Sequence, residues 1–329
     1  MGPSLQTACP TSGGDRPDVA CRTRSISRAR RCAKSKARAE RACSGCRADA
    51  SGRPGRPVAP REVTTVYKTS FIREHLAAIN SATKYPSIPT YHSLGDKGRL
   101  LEQLNISFGT PVHVSEKIDG TNVRIVVLPR DGESPLGLIG SREELLTATD
   151  DIVHNPALGI VDGVRDVAER LIGFAPDGVM VLFGELFGGR VTAGSKQYTS
   201  KREVAFRLFD AIAFETSTLA EVVTWEAARI ASWRDGGAQP FLELGALDAV
   251  AARVGVERVP ELTGLSAPPA AVSETYEWLR AVTGERSRAT LDEEAGGKPE
   301  GVVVRDGKRN IAKVRFEDYE RTLGKRGGR

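Results

Sequence analysis

The placement of aromatic side chains sets the first limit on what this chain can fold into. All 19 Phe, Trp and Tyr residues of the 329-residue chain lie at or after Tyr67. Residues 1–62 hold none of them and few large aliphatics. Such a segment cannot bury enough apolar surface to offset the entropy lost on ordering it. The expectation is a disordered basic tail over 1–62, and one folded domain over 63–329 with no separate C-terminal domain. The 267 residues of that body suffice for a sizeable core.

Charge follows the same division. The whole chain carries a formal +5, but residues 1–62 hold 14 Lys/Arg against 5 Asp/Glu, leaving 33 against 37 in the body. The basic character therefore belongs to the tail, and the body offers little non-specific attraction for phosphates. The five cysteines, Cys9, Cys21, Cys32, Cys43 and Cys46, also lie in the tail. Cys43-x-x-Cys46 has the form of half a zinc site, but the other gaps are long runs of Arg, Ala and Ser without a second close pair. Three readings of the tail stand beside each other: a zinc site, an Arg-rich targeting or nucleic-acid-attracting segment, and translated sequence upstream of a true start near Val63 or Val66. A cysteine-free body excludes a disulfide scaffold and thiolate metal sites. No apolar run reaches the ~18 residues of a transmembrane helix, and no secretory h-region opens the chain. The expectation is a soluble, cytoplasmic monomer with no membrane partner.

Local patterns alternate along the body. Helical spacing is read over Ser70–Ile79, Gly98–Leu104, Asp162–Ile172, Leu219–Trp233, Leu247–Val254 and Ala271–Val282. Strand-length apolar runs occupy Val112–Glu116, Asn122–Leu128, Leu136–Ser141, Gly178–Leu186 and Ala205–Phe214. Gly301–Arg305 and Asn310–Phe316 flank an Asp306-Gly307 turn as a closing hairpin. The mixture predicts an α+β fold of antiparallel sheets flanked by helices. His75, His92, His113 and His154 show no metal-ligand spacing and read as surface or packed residues. Trp225, Trp233 and Trp278 read as core.

The chemistry begins at Ser115-Glu116-Lys117-Ile118-Asp119-Gly120-Thr121-Asn122, where a lysine falls between two strands. Two readings stand. In one, Asp-Gly makes a hairpin turn and the lysine faces solvent. In the other, Lys117 is a nucleophile. Only about one free lysine amine in 2,500 is neutral at pH 7, so a nucleophilic role costs about 4.6 kcal/mol that cationic neighbours or desolvation must offset. Two apolar strands bring carboxylates, Glu185 in Phe183-Gly184-Glu185 and Glu300 ahead of Gly301-Val302-Val303-Val304-Arg305. Alternation along Ile311–Arg315 puts Lys313 and Arg315 on one face. Taken alone, that strand pair also reads as a surface charge ladder.

In their order, these segments resemble the covalent nucleotidyltransferases, and most closely the RNA ligase 2 family. The resemblance runs from about Lys84 to Tyr319. It is carried by Lys84-Tyr85-Pro86-Ser87-Ile88, Lys117-x-Asp119-Gly120, Phe183-Gly184-Glu185, Phe206-Arg207-Leu208-Phe209-Asp210, Glu300-Gly301-x-Val303-x-Arg305 and Lys313-x-Arg315. Thr121-Asn122, where DNA ligases and capping enzymes tend to carry Arg at the second position, favours the RNA ligase type over those two alternatives; a non-catalytic nucleotide- or RNA-binding relative is the remaining one.

The resemblance implies a nucleotidyltransferase (ATP-grasp-like) domain acting on ATP with Mg²⁺ or Mn²⁺, in RNA repair. It implies three transfers: Lys117 attacks the α-phosphate of ATP, AMP passes from lysyl-AMP to an RNA 5′-phosphate, and a 3′-OH displaces AMP to seal the strand. By the same resemblance Lys117, Lys313, Arg315 and Glu300 are catalytic, and Glu300 is the metal carboxylate. The backbone of Glu116 faces the adenine edge, Phe209 stacks on the base, Glu185 holds the ribose, and Asn122, Arg142, Lys313 and Arg315 complete the nucleotide site. Arg315 and Arg305 stand where the family often has Lys. Only 14 residues follow Arg315, so the C-terminal RNA-binding domain found in a phage member of the RNA ligase 2 family is expected to be missing, and a helper RNA-binding protein or a local basic groove is expected to hold the RNA ends.

Overall fold

The computed structural model describes residues 67–148, 159–174, 177–262 and 266–324. The expected tail, with its cysteines, and His154 lie outside these residues.

A six-stranded sheet forms the larger layer, in the order β6-β5-β4-β7-β8-β9. Its strands are β4 (Thr121–Arg130), β5 (Glu133–Ser141), β6 (Leu145–Ala148), β7 (Val179–Gly188), β8 (Val204–Phe214) and the two-residue β9 (Glu257–Arg258). All pairings are antiparallel except β8 with β9, which makes the sheet mixed rather than purely antiparallel. Helices cover both faces, which is why these strands are near-continuous apolar runs. Val123, Ile125, Val127 and Leu182 pack against α3 (Ile160–Phe174) and α6 (Leu244–Val254). Val126, Leu128, Val181 and Phe183 pack against α1 (Thr69–Glu74), α2 (Leu76–Ala82), α4 (Thr216–Val222) and α5 (Ala227–Asp235).

The smaller sheet is covered on one face only. It comprises β3 (Val112–Lys117), β10 (Glu261–Leu262), β11 (Gly301–Asp306) and β12 (Ile311–Arg315), in the order β10-β3-β11-β12. Val114, Val302, Val304, Ala312 and Val314 are buried in a core that includes residues of α7 (Val272–Thr283) and α8 (Phe316–Leu323). Because strand side chains alternate, His113, Ser115, Lys117, Val303, Arg305, Ile311 and Lys313 fall on the opposite face.

Four local expectations are corrected. Gly98–Leu104 is no helix: a 3₁₀ turn over Asp96–Gly98 leads into β2 (Leu100–Leu104), antiparallel to β1 (His92–Leu94). Leu100 and Leu104 are four apart, a spacing that puts them on one side of a strand as readily as on one side of a helix. Leu219–Trp233 is two helices, α4 and α5. Trp225 N–H bonds Val222 O at 3.1 Å, Thr224 hydroxyl returns to Glu221 O at 2.7 Å, and extended Glu226 ends the break. Ser70–Ile79 divides at His75 into α1 and α2. Phe316 opens α8 rather than closing a strand. The three tryptophans are half-buried at the margins of the cores, and His92 is fully buried between Tyr319 Oη at 2.7 Å and Ala270 O at 2.9 Å.

Candidate active site

The open face of the smaller sheet meets the edge of the larger one around a pocket of about 380 Å³, within the usual range of small-ligand sites. Strand register sets its floor. Ser115, Val303 and Lys313 form one cross-strand row, and Lys117, Gly301 and Arg315 form the next. A Cβ on Gly301 would lie 2.1 Å from Val314 O, so only glycine fits between Lys117 and Arg315.

Lys117 Nζ lies 2.6 Å from Glu300 Oε2. Glu185 accepts the Gly120 N–H at 3.2 Å, which ties the Asp-Gly turn to β7. The turn is also crowded: a Cβ on Gly120 would sit 2.4 Å from Leu186 O. Burial pushes the Glu185 carboxyl up to about 7, opposed by the charge of Lys117 and helped by that of Glu300. Burial likewise raises Glu300, again opposed by Lys117. Lys313 is held below the usual lysine range by burial first, then by the charges of Arg315, Lys117 and Arg142. The structure thus brings Lys117, Glu185, Glu300 and Lys313 into one electrostatic cluster.

The end of the pocket at Tyr85 and Phe209 is built around a β-bulge. Phe183 pairs with Asp210 and Gly184 with Leu208, leaving Phe209 as the extra residue on β8. The bulge shifts the alternation, so Leu208 packs in one core while Ile212 packs in the other. Phe209 lines the pocket, edge-on to Tyr85 at 5.0 Å. Gly184 is required beneath it, because a Cβ there would meet the Phe206 ring at 2.2 Å. Buried Asp210 accepts Tyr85 Oη–H at 2.9 Å and pairs with Arg305 at 3.4 Å and with Arg309. Arg309 also lies 3.4 Å above the Phe241 ring. Burial, with the Asp210 charge, raises the Tyr85 phenol well above its ordinary value.

Three expected site residues stand differently from the rest. The Glu116 carboxylate turns beneath β3, buried, accepting the Ser287 hydroxyl and the Arg288 N–H at 2.7 Å. Burial raises its pKa, and its backbone N–H bonds Pro260 O at 2.9 Å. Arg315 turns away to a two-pronged contact with Asp318, at 2.8 and 3.0 Å, and does not line the pocket. Arg142 is exposed at the rim, bonded to Ser87 Oγ at 2.9 Å. Asn122 lines the pocket opposite Glu185 in register.

Sequence reasoning gave no role to Tyr85, Asp210, Arg309, Tyr198 or Ser287. The first two stand in segments already singled out, and an Asp inside an apolar strand is a detectable signal. Arg309, Tyr198 and Ser287 stand in turns and loops whose patterns carry no signal of their partners.

An antiparallel sheet here presents a lysine beside two half-buried carboxylates at a pocket of small-ligand size. The family model described as RNA ligase matches residues 110–315, a span that contains every one of these strands, and the chain belongs to that family. Among solved structures, a Naegleria gruberi RNA ligase mutant with ATP and Mn is 18% identical, with a TM-score of 0.43 over 75% of this chain and 63% of that one. A second mutant of that ligase with ATP and Mn gives 17%, 0.44, 79% and 70%, and the same ligase with PPi gives 16%, 0.43, 73% and 64%. The chain spans less than two thirds of the first of these. No curated protein matches it.

Proposed function

We propose that the protein is an ATP-dependent RNA ligase that joins 3′-OH and 5′-phosphate RNA ends through a lysyl-AMP intermediate. The observation that carries this reading is the Lys117–Glu300 contact at 2.6 Å, on a strand face that also presents Lys313. Glu300 is within reach of the proton Lys117 must lose, and burial has already raised its affinity for one. Lys117 Nζ then forms a bond to the α-phosphorus of ATP as pyrophosphate leaves. An RNA 5′-phosphate oxygen next attacks that phosphorus, breaking the P–N bond and returning the lysine. The 3′-OH finally attacks the activated 5′-phosphorus and AMP departs. Each step is an in-line displacement, so positioning and charge neutralisation carry the catalysis.

In this reading Lys313 holds the α-phosphate, Phe209 stacks on the base, and Glu185 meets the ribose. Arg142 stands at the rim for the phosphates. Glu300 and Glu185 fit a hard divalent cation; since no cluster of three or more acidic, His or Cys ligands occurs among the described residues, such an ion would complete its shell from phosphate and water oxygens. When bound, it neutralises charge developing at phosphorus. Among the described residues, no helix is long and apolar enough to cross a membrane.

Incubation with α-labelled ATP and Mg²⁺, followed by denaturing electrophoresis, tests the reading. Label is expected on the wild-type chain and none on K117A. Label retained by K117A would overturn it, and label from GTP alone would move the assignment to a capping guanylyltransferase.

A further inference from the structure

We propose that the loop joining β7 to β8, residues 189–203, is the surface on which the RNA strand bearing the 5′-phosphate lies, its backbone phosphates held by Arg190, Lys196, Lys201 and Arg202. The inference rests on the ligase reading above and adds where the polynucleotide binds.

The body has more acidic than basic residues, 37 against 33, so attraction for a polyanion has to be local. This loop holds four cations and a single acid, Glu203. All four cationic side chains belong to exposed residues, and none forms an ion pair among the described residues. Elsewhere on the surface, arginines such as Arg130, Arg165, Arg280 and Arg321 face carboxylates within an ion-pair distance. The facing loop contributes Asp292 and Glu294, but these are turned onto Thr199 and Ser200. Asp292 accepts the Thr199 hydroxyl and the Ser200 N–H, both at 2.8 Å, and Glu294 accepts the Ser200 hydroxyl at 3.0 Å.

The loop is also fastened to the nucleophile. Asp119 N–H, two residues beyond Lys117, donates to Tyr198 Oη at 2.6 Å, and the Thr192 hydroxyl donates to Asp119 O at 3.3 Å. Gly194 lies so close that a Cβ would meet the Asp119 carboxylate at 2.1 Å. Tyr198 is fully buried, edge-on to Phe187 at 5.1 Å. Thr192 and Ser195 form a reciprocal cap, and Ser195 Oγ donates to Gly188 O at 2.9 Å. The two ends of the loop are neighbours, since a Cβ on Gly189 would be 3.4 Å from Arg202 O, which brings the backbones of Arg190 and Arg202 close. The result is a fixed ledge beside the turn that carries Lys117, with four exposed cations that make no ion pair among the described residues. A 5′-phosphate that reaches the phosphorus on Lys117 must pass this turn, and the strand behind it meets these cations.

The test uses the full chain with R190Q, K196Q, K201Q and R202Q combined, and a control carrying R73Q, R99Q, R165Q and R280Q, which removes the same charge elsewhere. Self-labelling from ATP, binding of a 5′-phosphorylated RNA oligonucleotide by fluorescence anisotropy, and AMP transfer to that RNA are measured for both. The loop variant is expected to keep self-labelling and its KM for ATP. Its RNA affinity should fall, and the slope of log K against log salt should flatten by about 3, from about 0.7 per phosphate contact. The control should retain the wild-type slope. Unchanged RNA binding in the loop variant, an equal loss in the control, or a raised KM for ATP with RNA binding intact would each overturn the proposal, the last by assigning the loop to the triphosphate. Because RNA binding is read separately from labelling, a wild-type chain that binds RNA through this loop but takes no label would refute the ligase reading and leave the surface standing.

Discussion

Replacing Glu185 with Gln should make the protein more stable at neutral pH while impairing the site. Burial raises this carboxyl from 4.5 to about 7. Below pH 4.5 the group is protonated in both folded and unfolded chains and contributes nothing to the pH dependence. Between pH 4.5 and 7 the folded state keeps a proton that the unfolded state has released, so stability falls as pH rises. The full loss, reached above about pH 8, is about 3 kcal/mol for a shift of roughly 2.5 units at 1.36 kcal/mol each. A Gln side chain keeps an oxygen for the Gly120 N–H and has no charge to desolvate. Urea denaturation of wild type and E185Q at pH 5, 6, 7 and 8, without nucleotide or metal, should give a difference of about 0.8 kcal/mol at pH 5. It should grow to about 3 kcal/mol in favour of E185Q at pH 8, or roughly 6–12 °C in Tm for a domain of this size. E185Q should self-label more slowly than wild type, since the group that destabilises the fold is the one assigned to the ribose. Parallel stability curves for the two proteins would refute the assignment of a raised pKa to Glu185.

Other substitutions examine the rest of the pocket. D210A leaves Arg305 and Arg309 without their shared carboxylate and should cost about 3–5 kcal/mol in denaturation experiments, with a raised KM for ATP; D210N should fall between. G120A places a methyl group 2.4 Å from Leu186 O, so it should displace the nucleophile turn, lower stability by about 1–3 kcal/mol and suppress self-labelling. K313A should slow self-labelling by roughly 10²–10³-fold, with Tm unchanged or slightly raised because a partly desolvated cation has been removed; labelling at the wild-type rate would remove Lys313 from the phosphate site.

The sequence by itself determined the family and most of the strands that carry its motifs. The apolar strands on either side of Lys117 and the closing hairpin follow from short-range alternation, which depends only on neighbouring residues. Alternation sets Lys313 on the face opposite Ala312 and Val314 of its own strand for the same reason. Short-range pattern fails where distant segments choose between local options. Leu100 and Leu104 fit a helix or a strand, and pairing with β1 selects the strand. The run from Leu219 to Trp233 has helical period throughout, yet the surface of the larger sheet accommodates two short helices.

Only the tertiary structure decided the partners. Asp210 meets Arg309 across about a hundred residues of chain, Glu116 turns under its strand to Ser287, and Arg315 turns to Asp318 rather than into the pocket. The bulge at Phe209 is the clearest case. One unpaired residue reverses the alternation that sequence reading assumes, and it does so because β7 and β8 must keep both faces buried while one ring is aimed at the site. Local sequence fixes which groups are available, and long-range packing fixes which of them meet.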